Sequence, residues 1–150
     1  MRWLLALYAA CCSTTIALAG VPTDSRTGQY LCVSERSAGF KFDARADSWA
    51  STNFRTEAKY LVAPSKNAQY AFQITKVGEN IPTASCEDGF NEPGYLLCTG
   101  IGGEFKFNRD NGRFLLVYAI GYFNVLPKLN QITDEKSDTP FLEIGKCSPF

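Results

Sequence analysis

The chain contains no histidine. Without imidazole, no Ser-His-Asp or Cys-His nucleophile system can be assembled, nor a zinc site with imidazole ligands. The commonest general base at neutral pH is missing as well. Net charge is equally scarce, because 15 Lys and Arg stand against 15 Asp and Glu. A chain so balanced has no basic patch to neutralise phosphates, which excludes nucleic acid as an expected partner. Paired Cys-x-x-Cys spacing is also absent, and that argues against a cysteine metal site. What is present suffices for a packed core. The 150 residues are 45% hydrophobic and 13% aromatic, too apolar for a disordered chain and about one domain long.

The first residues read as an address. Met1-Arg2 is a short positive start, Trp3 to Leu18 is almost continuously apolar, and Ala17-Leu18-Ala19 offers small residues to a signal peptidase. This order is that of a secretory signal peptide. The run falls short of the roughly 20 apolar residues that a membrane span needs. Two alternatives use the same residues: a retained anchor, and a lipidation site at Leu7-Tyr8-Ala9-Ala10-Cys11, where Tyr8 occupies the place of a small aliphatic residue. Cleavage after Ala19 assigns residues 1–19 to the signal and 20–150 to a single β domain. That domain is expected to be exported, periplasmic or extracellular, with no membrane span after processing. Loss of Arg2 leaves it 14 basic and 15 acidic side chains.

Cys11 and Cys12 leave with the signal, and Cys32, Cys86, Cys98 and Cys147 remain. An even number in an oxidising compartment implies two disulfides, and four cysteines allow three pairings. The preferred pairing is Cys86–Cys98, which closes the short loop Glu87 to Leu97, with Cys32–Cys147, which staples the last strand to the first. In the chain-entropy model the short loop contributes roughly 3 kcal/mol and the long one about 5.

Period-two patterning dominates residues 20–150. Tyr70, Phe72 and Ile74 share one face and Gln73 and Thr75 the other; Phe105 and Phe107 alternate with Glu104 and Lys106, and Phe40 and Phe42 flank Lys41. This is the half-buried antiparallel strand pattern. Asn111-Gly112 between Phe105–Phe107 and Phe114–Phe123 is a hairpin signal. Further strands are expected near Tyr30–Ser34, Ala58–Val62, Tyr95–Thr99 and Phe141–Ile144, while Ala44 to Ala58 reads as turn, loop and strand. The expectation is an all-β fold: a small antiparallel β-barrel or sandwich of about seven to eight strands, stapled by disulfides. Closure would remove sticky sheet edges. A weak internal echo links Gly39-Phe40-Lys41-Phe42-Asp43 after Cys32 with Gly103-Glu104-Phe105-Lys106-Phe107-Asn108 after Cys98. Two unrelated hairpins with the same pairing chemistry explain it more simply than a duplicated half-barrel. Duplication would favour the alternative pairing, Cys32–Cys86 with Cys98–Cys147.

Two features stand out as candidate sites. Phe114 to Phe123 is apolar on both faces if it is one strand, which an ordinary half-solvated strand is not. Such a strand is either central and covered on both sides or lines an apolar cavity. The face carrying Leu115, Val117, Ala119, Gly121 and Phe123 has more room, because Ala119 and Gly121 are small. The second feature is the loop Glu87-Asp88-Gly89-Phe90-Asn91-Glu92-Pro93-Gly94. Held at its base by a disulfide, it would present Glu87, Asp88, Phe90, Asn91 and Glu92 to a partner at reduced entropic cost. Neither it nor Asn108–Gly112 matches the spacing of a calcium loop. Catalysis without histidine would fall to paired carboxylates, as in glycan hydrolysis. Glu104, after Gly102-Gly103, is the first acid to consider, yet alternation puts it on the polar face with no partner.

The signal peptide, Gly39-Phe40-Lys41-Phe42, Phe54-Arg55-Thr56, Lys59-Tyr60-Leu61-Val62, Gly112-Arg113-Phe114 and the ending Ile144-Gly145-Lys146-Cys147-Ser148-Pro149-Phe150 together resemble small uncharacterised exported proteins of proteobacteria. In size, disulfides and β pattern the chain is also similar in kind to periplasmic lysozyme inhibitors of the small β-barrel type. Ser37-Ala38-Gly39 and Thr75-Lys76-Val77-Gly78 match only parts of the loop motifs of those inhibitors, so the likeness is one of architecture. The resulting expectation is a monomeric, non-enzymatic exported binding module without a cofactor. It would engage a protein or cell-envelope component through the disulfide-held loop and an adjacent aromatic surface. A carrier of a small apolar ligand is the alternative, and a carboxylate-based glycan hydrolase stands third.

Overall fold

The computed structural model describes residues 28–123 and 138–150. The signal peptide expected at residues 1–19, with Cys11 and Cys12, lies outside the described residues. Among the described residues nine strands and one helical turn follow in chain order: β1 (Tyr30–Asp43), β2 (Ser48–Phe54), β3 (Lys59–Pro64), β4 (Phe72–Lys76), β5 (Ala84–Cys86), β6 (Tyr95–Gly100), β7 (Gly103–Asn108), β8 (Arg113–Tyr118), α1 (Ile120–Phe123) and β9 (Phe141–Pro149).

All pairings are antiparallel. Eight strands close into a barrel in the order β1-β3-β4-β5-β6-β7-β8-β9, with β9 returning to β1. Closure answers the edge problem for those eight strands. The ninth, β2, is an addition. β1 is 14 residues long, more than the barrel wall uses. Its first residues, Tyr30 to Val33, pair with β3. Beyond a register shift at Ser34/Arg36, Ser37 to Asp43 pair with β2 in a hairpin. The irregularity lets one strand leave the wall and carry its own partner.

Alternation fills the barrel. Inward positions include Cys32, Tyr60, Val62, Phe72, Ile74, Leu96, Phe105, Phe107, Phe114 and Leu116, all buried. Both expected disulfides are present, Cys32–Cys147 and Cys86–Cys98. Cys32 and Cys147 stand directly opposite one another on β1 and β9. The two Phe-Lys-Phe segments do not occupy equivalent places in the fold. Phe105 and Phe107 are core, whereas Phe40 is 53% exposed on the projecting hairpin.

Asn111-Gly112 does end a hairpin between β7 and β8. Only Gly112 takes a positive φ, 67°, and the Asn111 side chain instead accepts from Arg113 N at 2.9 Å. The continuous strand expected from Phe114 to Phe123 is corrected. β8 stops at Tyr118, and the chain turns into α1. Gly121 fits the turn: a Cβ there would lie 1.7 Å from the Asp138 carbonyl oxygen, so only glycine lets α1 pack against the segment that enters β9. Among the described residues, no helix is long and apolar enough to cross a membrane.

Candidate functional site

The two ends of the barrel are built differently. One end is closed by the loop after β5. Phe90 turns inward, and its ring meets Tyr30, Phe72 and Phe107 edge-on at centroid distances of 5.7, 5.3 and 5.6 Å. Arg109 lies over its outer face, 5.1 Å from the centroid. Phe90 therefore plugs the barrel, which corrects its reading as an exposed anchor for a partner. Asn91 is also occupied, since its side chain accepts from Tyr95 N at 2.8 Å and its own N–H donates to Tyr95 O. Glu87, Asp88 and Glu92 remain exposed.

The opposite end is hollow. A chamber of about 850 Å³ with a mixed polar and apolar lining opens there, with Ser37, Tyr60, Tyr118 and Glu143 among its walls and Arg55, Lys59 and Lys76 near its rim. Glu143, on β9, points into the barrel and is 5% exposed. The Ser34 hydroxyl donates to its Oε1, and the Tyr60 hydroxyl donates to Oε2 at 3.2 Å. Burial pushes the Glu143 carboxyl above the usual carboxylate range, opposed by the Tyr60 hydrogen bond and the Lys76 charge. Burial, and then the Glu143 charge, likewise pushes the Tyr60 hydroxyl well above its ordinary value. At the rim the Tyr118 hydroxyl donates to Asp138 Oδ2 at 2.8 Å. Its pKa is pushed up to about 12, by burial first and by Asp138 second.

Outside the wall at the same end runs an apolar groove of about 640 Å³. Phe40, Trp49, Val117, Phe123 and Leu142 line it, with Pro140 at its edge. Trp49 meets Phe42 across the hairpin and Tyr122 of α1, at 5.8 and 5.5 Å. The hairpin thus serves both hollows, because strand alternation directs Trp49 to the groove and Phe54 to the chamber. Tyr118 and Phe141 border both hollows and stack on each other at 5.6 Å.

The five residues proposed as a ligand face separate here. Val117, Ala119 and Phe123 line the groove; Leu115 and Gly121 do not, since the strand ends and Gly121 is buried against Asp138. Glu104 is exposed and pairs with Lys106 at 2.8 Å. Among the described residues no cluster of His, Cys, Asp and Glu could hold a metal ion.

Glu143 was not legible from local pattern, because Leu142 and Ile144 look like the inward residues of their strand. The usable signal was the cysteine. Cys147 must face the core to reach Cys32, and Gly145 and Glu143 share its parity.

These features define a disulfide-stapled antiparallel barrel, packed at one end and hollow at the other. No family model, curated protein or solved structure matches the chain. The two disulfides fit an oxidising, non-cytoplasmic compartment.

Proposed function

We propose that this is a non-enzymatic exported binding protein that takes the apolar chain of a cell-envelope amphiphile into the groove at its hollow end. The groove carries this reading. About 640 Å³ lies within the roughly 300–1,000 Å³ of small-molecule sites, which are mostly apolar with few polar groups. Its walls expose large side chains that folding alone would bury: Phe123 is 88% exposed, Tyr122 67% and Phe40 53%. Contiguous exposed apolar surface of this kind marks a binding face. An amphiphile is favoured over a wholly apolar molecule because the groove shares the Tyr118–Phe141 wall with a chamber that carries Ser37, Tyr60, Glu143 and charged rim residues. This reading unites the aromatic surface of the binding-module expectation with the ligand-carrier alternative, and drops the disulfide loop as the contact. It retains the signal peptide at residues 1–19, a monomer, and the small exported proteins of proteobacteria as its kin.

Trp49 is the one tryptophan in residues 20–150 and lines the groove, so its emission reports occupancy. Titration with dodecanol should shift that emission and saturate. Phe123→Glu should abolish the effect without lowering the thermal midpoint, while Ile81→Glu, at an exposed apolar residue elsewhere, should leave it intact. No saturable response to dodecanol overturns the reading. So does a large fall in midpoint for Phe123→Glu alone, since the groove would then be filled by the protein itself.

A further inference from the structure

The chamber floor holds a buried carboxylate that has no ion-pair partner among the described residues. Each oxygen of Glu143 receives one hydrogen bond, from Ser34 and Tyr60 respectively. A carboxylate oxygen has two lone pairs, so acceptor capacity remains on both. Among the described residues no Lys or Arg lies within ion-pair distance of Glu143; Lys76, the nearest in electrostatic effect, pairs with Glu79 at 3.3 Å. Burial of a carboxylate that lacks a cation is costly, and folding alone gives no reason to keep one.

The walls around this floor are aromatic. Phe54, Tyr60, Tyr118 and Phe141 all border the chamber, and the Phe54 and Phe141 rings stand 6.4 Å apart at 70°. Ring faces attract ammonium groups by cation–π interaction, most strongly away from water. An ammonium also brings three donors to unused carboxylate lone pairs. The rim does not oppose it. Arg55 pairs with Glu57 at 2.6 Å, Lys76 with Glu79, and Lys59 shares the rim with Asp138.

We infer that the chamber is a binding site for a primary ammonium group, held by Glu143 between the rings of Phe54, Tyr60, Tyr118 and Phe141. This rests on the groove reading only in joining the two: the ligand is a long-chain amine or an amino-headed lipid, with its chain in the groove and its head across the Tyr118–Phe141 wall. The raised pKa of Glu143 agrees with a carboxylate in want of a cation.

The test compares dodecylamine, dodecanol and dodecanoate by Trp49 emission at physiological salt, with propylamine followed separately by amide chemical shifts. Dodecylamine should bind at least tenfold more tightly than dodecanol, and dodecanoate more weakly than either. Glu143→Gln, which keeps the shape, removes the charge and leaves one amide oxygen to accept while its NH2 must donate to the other hydroxyl, should bring amine and alcohol to within about threefold of each other. Phe123→Glu should weaken the long-chain ligands and leave the response of Ser37 and Glu143 to propylamine in place. If dodecanol binds but the amine has no advantage, the ammonium site is wrong and the groove stands. If propylamine perturbs the chamber but no long-chain ligand binds, the groove is wrong and the ammonium site stands. An amine preference that survives Glu143→Gln would overturn the inference, because it would then reflect surface charge.

Discussion

At one end of this barrel a phenylalanine turns inward, and at the other a glutamate does. Phe90 completes a cluster with Tyr30, Phe72 and Phe107, and the Cys86–Cys98 bridge anchors the loop that carries it. At the other end Ser37, Tyr60, Tyr118 and Glu143 line a chamber bordered by Phe54 and Phe141, and Phe40, Trp49 and Phe123 lie along the groove outside the wall. Two small barrels' worth of chemistry share one wall: packing at the disulfide end, and unused hydrogen-bonding capacity with exposed aromatic surface at the hollow end. On the proposed reading, stability and recognition occupy opposite ends, so substitutions at the two should separate cleanly.

The largest expected effect is on the bridges. Reduction should lower the thermal midpoint by well over 10 °C, because two bridges contribute several kcal/mol each at about 4 °C per kcal/mol. A shift of a degree or two by calorimetry would mean that the aromatic plug alone holds the closed end. Next is Phe90→Ala, expected to cost about 3 kcal/mol, near the lower end for a buried phenylalanine, with dodecanol binding intact. Loss of ligand binding at unchanged stability would reverse the assignment of the two ends.

Glu143→Gln should be smaller and opposite in sign. A carboxyl whose folded pKa is raised keeps its proton where the unfolded chain has already lost it. The folded state therefore loses stability as pH climbs from the ordinary carboxylate value through the raised one. The glutamine variant lacks that loss and should melt higher than the parent protein near neutral pH. Midpoints measured at both pH extremes should converge for the two proteins on the acid side; a variant less stable at neutral pH would show that the charge is compensated. Smallest is Glu104→Gln. It removes one exposed pair with Lys106 and should change stability by under about 0.5 kcal/mol, with no effect on ligand binding.

The sequence carries the closed end better than the hollow one. Alternating phenylalanines, four cysteines and Asn-Gly are strong local signals, and the barrel class and both bridges follow from them. The hollow end depends on departures from alternation. Phe114 to Phe123 looks like one strand because its apolar character continues past Tyr118, yet the chain bends into a helical turn, whose close approach to the Asp138 backbone only Gly121 permits. The groove arises from that bend together with the overlong β1, whose extra length no short-range pattern reveals. The three-residue β5 is too short to show a period. Phe90 reads as exposed in a loop of carboxylates, and only the ring cluster made by distant strands draws it inward.

Where a ligand lands decides between the two ends of the barrel. Amide chemical-shift mapping with dodecylamine on the uniformly labelled protein tests this most directly. The expected shifts lie at Gly39, Trp49, Val117, Ala119, Phe123, Thr139 and Glu143, with Tyr30, Phe90, Leu96 and Phe107 unmoved. Shifts centred on the Glu87–Gly94 loop, or none at saturating ligand, would contradict it.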